Sequence, residues 1–197
     1  MLNTEIRKKY KSGSAVEIIR NAILAGELSG EIAQNEFADS LGVSRIPVRE
    51  ALIALEYQGL IEKLSNQHIR VINLDGPAIR NLFADMSLLE LEAVKALTSE
   101  ELEHLATSAS PAEFHRNLYG KTAPSLRRVF LRTITETYVM FVLEHSDGSR
   151  ITPAFENLKS SLGDADTLKA AYAVYAEVLA DELIRIRREE PAATEEE

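Results

Sequence analysis

The chain of 197 residues contains no cysteine, which removes both a disulfide framework and any thiolate metal site, and gives no support for oxidising export. No apolar run approaches the ~20 residues that a membrane span requires. Arg7, Lys8, Lys9 and Lys11 have no apolar stretch behind them, so no signal peptide is expected. The expectation is a cytoplasmic protein with no membrane partner. Chemistry-bearing groups are also sparse: four histidines lie scattered, and there is no HExxH pair and no glycine-rich phosphate loop. An enzyme needs a nucleophile–base pair or paired carboxylates in one pocket, and nothing here supplies them.

Positive charge is short as well, with a net charge of −9. That balance argues against nucleic acid until the chain is divided. Residues 1–75 carry 9 Lys/Arg and 10 Asp/Glu, whereas residues 76–197 carry 13 and 21. The acidity belongs to the second half. DNA affinity in the first half must come from a few placed arginines and a basic arm, with marked loss on adding salt.

Residues 41–60 carry most of the functional information. Gly42 suits the left-handed residue that ends one helix, Ser44 the cap that starts the next, and Pro47 a first turn where its missing N–H costs nothing. Positions four apart share a helix face, so Arg45 and Arg49 project together while Val48, Ala51 and Leu55 pack inward. Gln34 to Leu41 reads as the preceding helix, with Phe37, Ala38 and Leu41 inward. Gly59 ends the second helix, and residues 60–64 and 69–72 alternate as two strands around the turn-rich tip 65–68. This is the layout of a winged helix-turn-helix, whose second helix enters the major groove N-terminus first.

The run from Leu41 to Leu52, followed by Leu55 to Ile61, resembles the N-terminal signature of GntR-family bacterial transcription regulators over about residues 14–72. The resemblance implies a homodimer on a palindromic double-stranded operator, with an effector domain behind. DNA contacts carry over onto Arg45 and Arg49 for bases and phosphates, onto Ser44, and onto Gln67 and His68 at the wing tip. Asn35 stands where the family commonly has an arginine and is kept among the expected contacts. The tip has Asn66-Gln67-His68 where a glycine is common, so the family's operator sequences do not transfer.

Beyond Asp75-Gly76-Pro77 only helical periodicity and caps remain. Pro77 to Leu97 is apolar at Ile79, Leu82, Phe83, Met86, Leu89 and Val94. Thr98 with Glu101, and Ser110 with Glu113, form capping boxes, the second with proline at the first helical position. Further helices are expected over 124–145, 151–162 and 166–188. The fold class is therefore mainly α: a flexible basic arm (1–13), a winged helix-turn-helix with a small β wing (14–75), a six-helix antiparallel bundle (76–188) and a disordered acidic tail (189–197).

The bundle resembles the FCD effector domain of the FadR-type branch. Phe114-His-Arg-Asn-Leu-Tyr119 is similar to that group's helix signature, and six helices match the shorter, VanR-like form. Such bundles hold a divalent metal through an aspartate and three histidines, and sense small carboxylates beside it. His115 matches one ligand, but Pro111, Phe155 and Glu177 occupy the other positions, while Met86 and Ala123 replace a pocket arginine and asparagine. No metal cofactor is expected. The resemblance leaves an apolar effector pocket around His115, Tyr119, Phe155, Tyr172 and Glu177, to which Phe130, Tyr138 and Tyr175 add, although aromatics at helical spacing also read as plain core. Glu177 has two readings: a buried carboxylate needing a partner, or part of a solvated stripe with Asp181. Arg127, Arg128 and Arg132 read as a solvated face, or as a receptor for an anion. A small-molecule effector less anionic than the sugar acids typical of the group follows from the first pocket reading. The alternative function is a DNA-binding architectural or adaptor protein whose bundle only dimerises.

Overall fold

The computed structural model describes residues 14–34, 45–65 and 68–189. The expected arm 1–13, the helix from Gln34 to Leu41 with the exception of Gln34, the turn at Gly42, and the tail beyond 189 lie outside the described residues. The chain divides into two compact units, residues 1–74 with 187–197 and residues 75–186.

In the first unit, α1 (Ala15–Ala25) starts at Ser14, whose hydroxyl accepts from the Glu17 amide while Glu17 reaches back to the Ser14 amide. This reciprocal pair satisfies two amides that the first helical turn cannot. The helix ends at Gly26, where φ is +84°. Its buried face (Ile19, Ala22, Ile23) packs against α2 (Arg45–Tyr57), whose inward residues are Val48, Ala51, Leu52 and Leu55. Burying each of the larger of these side chains stabilises the unit by about 1.5–3 kcal/mol. Gly59, at φ +71°, turns the chain out of α2 into β2 (Ile61–Lys63).

β2 pairs antiparallel with β3 (His68–Val71) in the register Ile61↔Val71, Glu62↔Arg70 and Lys63↔Ile69. Along β3, Ile69 and Val71 are buried and Arg70 is exposed, the alternation of a half-buried strand. Two strands are what the sequence pattern predicts here. A third, β1 (Glu31–Ala33), pairs with the other edge of β3, giving the order β1-β3-β2. Three residues after Gly30 are too short for any alternation to register, and the strand exists because β3 offers an edge to pair with.

The second unit is a bundle of six helices among the described residues. Asp75 caps α3 (Gly76–Lys95) by accepting from the Ala78 amide at 2.8 Å. Thr98 and Glu101 form the full capping box of α4 (Ser99–Ala106). Ser110 caps α5 (Pro111–Lys121), while Glu113 reaches one residue past the cap to the Ala109 amide, so only half of the expected box forms there. α6 is continuous but changes ladder: α-helix over Leu126–Ile134, π-helix over Thr135–Val139, α-helix over Met140–His145. α7 (Ile151–Ser160) and α8 (Ala165–Glu189) complete the set. The core is built from Phe83, Phe114, Phe141, Phe155, Tyr172 and Tyr175 with the aliphatic residues around them. No described helix is long and apolar enough to cross a membrane.

Candidate nucleic-acid interface

With Val48, Ala51, Leu52 and Leu55 facing the core, α2 must turn Ile46, Arg49, Ile53 and Tyr57 outward, and all four are exposed. Pro47 sits in the first turn, where no carbonyl awaits its missing donor. Arg49 lines a recess of about 420 Å³ with Gln34, Ile53 and Lys63. Thus the outward face of α2 and the start of the hairpin share one concave surface.

Electrostatics distinguish the cations near this surface. Lys63 Nζ lies 2.5 Å from Glu56 Oε2, and Arg70 Nη1 lies 3.4 Å from Glu62 Oε2. In the sheet register Arg70 sits between Glu31 and Glu62. Arg49, by contrast, is exposed and makes no ion pair among the described residues. An unpaired guanidinium gives up only water when it meets a phosphate or a guanine edge, so no internal pair has to break first.

The expected contacts fare unequally. Arg45 is the first residue of α2, one turn before Arg49, but its side chain, like Asn35, Ser44, Asn66 and Gln67, lies outside the described residues. His68 opens β3, half-exposed, with Nδ1 3.2 Å from Glu31 Oε1. Nothing in the amino-acid pattern announces β1, so this partner of His68 was invisible, as was the acidic screen of Glu56 and Glu62 that runs beside the cations.

The five residues expected to line an effector pocket do not form one group. His115, Phe155 and Tyr172 converge in the bundle core and are almost wholly buried. Nδ1 of His115 lies 2.6 Å from Glu90 Oε1, and Nε2 lies 3.1 Å from the Tyr175 hydroxyl. With the Nδ1 proton donated to Glu90, Nε2 of a neutral ring accepts from Tyr175. The ring also packs edge-on against Phe114 and stacks on Tyr175. Burial, with the Glu90 carboxylate nearby, pushes the phenols of Tyr172 and Tyr175 well above their ordinary range. Burial alone raises Tyr138 to about 12.

Tyr119 and Glu177 must be withdrawn from that pocket. The Tyr119 hydroxyl donates to Glu136 at 2.8 Å, in a half-exposed cluster closed by Arg116. Glu177 is exposed and bonds to Arg80, whose other nitrogen donates to Asp181 at 2.8 Å, so the solvated-stripe reading holds and the buried one fails. Residues 173, 174 and 177 lie on the outer side of α8, where small Ala173 and exposed Val174 imitate a buried run in the sequence. Phe130 also faces outward rather than into a pocket.

The divalent metal that the FCD resemblance implies does not fit the donors present. Among the described residues no three His, Asp or Glu side chains gather, and His115 meets one carboxylate and otherwise phenols and rings. Glu90 escaped the sequence reading although a signal existed. It falls on the stripe of Ile79, Phe83, Met86 and Val94, one acid among buried positions.

Comparison with known proteins bears on both units. Residues 11–71 match the family described as "Bacterial regulatory proteins, gntR family". An uncharacterised HTH-type transcriptional regulator of Mycobacterium tuberculosis is 44% identical over 59 residues, covering 27% of this chain and 24% of the relative. A second uncharacterised HTH-type regulator, from an unstable DNA locus of Streptomyces ambofaciens, is 33% identical over 84 residues, covering 42% and 36%. The matched stretches thus span about a quarter to a third of the length of these relatives. Among solved structures, E. coli McbR/YncC aligns with a TM-score of 0.50 at 17% identity over 89% of this chain and 96% of its own. A structure of Lar, titled as controlling expression of the Listeria monocytogenes agr system, aligns with the same score, identity and coverage. These two likenesses are of fold, and they extend through the bundle. The sequence match is to bacterial regulatory proteins of the GntR family, and it covers residues 11–71, the winged unit of this chain.

Proposed function

We propose that the chain is a ligand-responsive, sequence-specific transcription regulator, a repressor acting as a homodimer on a palindromic operator. The observation that carries this reading is the outward face of α2, with Arg49, one turn beyond Arg45, exposed and making no ion pair among the described residues. The two arginines deliver base and phosphate contacts, Ser44, Asn35, Gln67 and His68 flank them, and the bundle sets the spacing of two such helices on the duplex. In this reading the bundle is a degenerate FCD domain of the FadR-type branch. An effector changes operator affinity only as far as it prefers one arrangement of the dimer.

The test begins by selecting bound fragments from genomic DNA, and then measures affinity for the enriched site by fluorescence anisotropy. Arg45→Ala and Arg49→Ala are each expected to cost about 1–3 kcal/mol there. An affinity unchanged by both substitutions would overturn the assignment.

A second reading, an adaptor whose bundle only dimerises, is favoured by one observation. His115, Phe155 and Tyr172 are closely packed, while Tyr119 and Glu177 engage partners at the surface. Thermal stabilisation by members of a metabolite library supports the ligand-responsive regulator; intact operator binding with no stabilisation by any of them supports the adaptor.

A further inference from the structure

α1 has no basic residue in its last turn, where the unpaired carbonyls of a helix end gather partial negative charge. The amides of Gly26, Glu27 and Leu28 fold back onto Ala22 and Ile23. The carbonyl of the fully buried Leu24 is met instead by Arg187, whose Nη1 donates to it at 2.9 Å and to the Ile23 carbonyl at 2.7 Å. Arg187 lies 164 positions from Ile23, yet it belongs with residues 1–74 in the first unit. A buried carbonyl needs a donor, so a side chain remote in sequence completes the end of α1. The guanidinium is half-buried and makes no ion pair among the described residues. Burial holds it below its ordinary value, and the two carbonyls offset that desolvation in place of a carboxylate.

The same side chain backs the corner between α1 and β1. Gly26 turns there at φ +84°, and a methyl added to it would lie 3.7 Å from Arg187 Cζ. Arg187 also lines a recess of about 280 Å³ with residues 28–31 of the corner and residues 70–73 running off β3. Beyond the corner β1 pairs with β3, and Glu31 Oε1 lies 3.2 Å from Nδ1 of His68, where β3 leaves the wing tip. A continuous path of contacts thus runs from Arg187 through the end of α1 and β1 to His68.

We propose that Arg187 is a positioning residue for DNA binding, fixing the corner between α1 and β1 and thereby where the wing presents His68. The inference rests on the operator-binding reading above and adds to it a residue from outside the helix-turn-helix sequence. Arg187 acts through the packing of the winged unit, with its donors turned onto carbonyls of that unit.

Hydrogen exchange and fluorescence anisotropy on the full chain test this, with Arg187→Ala, Arg187→Lys, His68→Ala and the double variant Arg187→Ala with His68→Ala. Without the guanidinium the Leu24 carbonyl is stranded, so amides over 24–33 and 68–72 should exchange roughly 5- to 150-fold faster. Amides over 45–57 and 151–160 should keep wild-type rates. Lysine keeps the charge with a shorter reach and should give a smaller acceleration. On the enriched operator Arg187→Ala should weaken binding no more than His68→Ala does, and should add nothing to it in the double variant. Wild-type exchange over 24–33 and 68–72 in both Arg187 variants would overturn the inference. So would an operator affinity that Arg187→Ala leaves unchanged, or lowers equally with and without His68. If Arg187→Ala disturbs the whole unit, seen as lost protection over 45–57, Arg187→Lys carries the same comparisons. A chain that enriches no DNA, or whose affinity ignores both Arg45→Ala and Arg49→Ala, would overturn the proposed function and this role in it, while faster exchange at the corner would stand as a property of the fold.

Discussion

The two units handle polar side chains in opposite ways. In the winged unit no described polar side chain is fully buried, although Glu27 Oε2 and Gln58 Oε1 are shielded from solvent and burial holds Arg187 below its ordinary value. In the bundle Glu90, His115 and Glu182 are buried together with several hydroxyls. The difference separates stability from binding. Exposed charges on the winged unit can be exchanged with little effect on its core, so substitutions there report on DNA. The bundle holds part of its stability in an internal polar network, where losing one member leaves another without a partner.

The largest effect should come from breaking that network. His115→Ala strands the Glu90 carboxylate, and urea unfolding is expected to show a loss of about 3–5 kcal/mol. The paired change Glu90→Leu with His115→Phe should recover part of that loss, because this buried charge is gone, while the Tyr175 hydroxyl left without His115 still costs about 1–3 kcal/mol. A single substitution no worse than a surface change would erase the contrast between the units. Next in size is Gly59→Ala. No atom lies within 4 Å of the added methyl, so the cost is conformational alone, about 1–2 kcal/mol for the left-handed backbone at φ +71°. Thermal unfolding would measure it.

A smaller effect sharpens the binding side of the comparison. Glu62→Gln removes the acid opposite Arg70 and should tighten nonspecific DNA binding by less than about 1 kcal/mol, with a steeper salt dependence. Anisotropy titrations at several salt concentrations would show it, with no change in melting.

The smallest concerns acid. The hydrogen bond from Arg116 holds the Glu136 carboxyl below its ordinary 4.5, with Tyr119 adding to the effect. Since the folded value is the lower one, its contribution is complete above 4.5 and is lost as pH falls through the folded value. Arg116→Gln should lower the urea midpoint slightly at neutral pH and flatten its dependence on pH below 4.5, so that the two proteins converge in acid.

Legibility in the sequence tracks how local the cause is. The span of α2, the glycine that ends it, the hairpin after it and the capping box of α4 are each set within a few residues, and they read correctly, whereas at α5 only the Ser110 half of the expected box forms. β1 depends on an edge supplied from 37 positions away, and Glu90 on a histidine 25 positions on. Glu177 shows the limit of periodicity: Ala173 and Val174 are apolar in composition yet exposed, and composition alone does not reveal which side of α8 meets the core. Of the contact residues on the winged unit, Arg49 is placed outward as its spacing required, while the acids at 56 and 62 needed the fold to bring them alongside.

The π-helical segment of α6 has a geometric consequence. Its ladder, with the Met140 amide bonding back to the Thr135 carbonyl, accommodates one residue more than an α-helix of equal length. That extra residue shifts the phase of the upstream part of the helix by about 100° relative to the downstream part. Downstream, residues 137–142 are buried on every side; upstream, Leu126, Val129 and Phe130 look away from the core. Deleting one residue between 135 and 139 would rewind the rod to a uniform pitch and rotate those three side chains to a new bearing. The irregular turn is thus the device that lets a single helix serve two differently oriented surfaces.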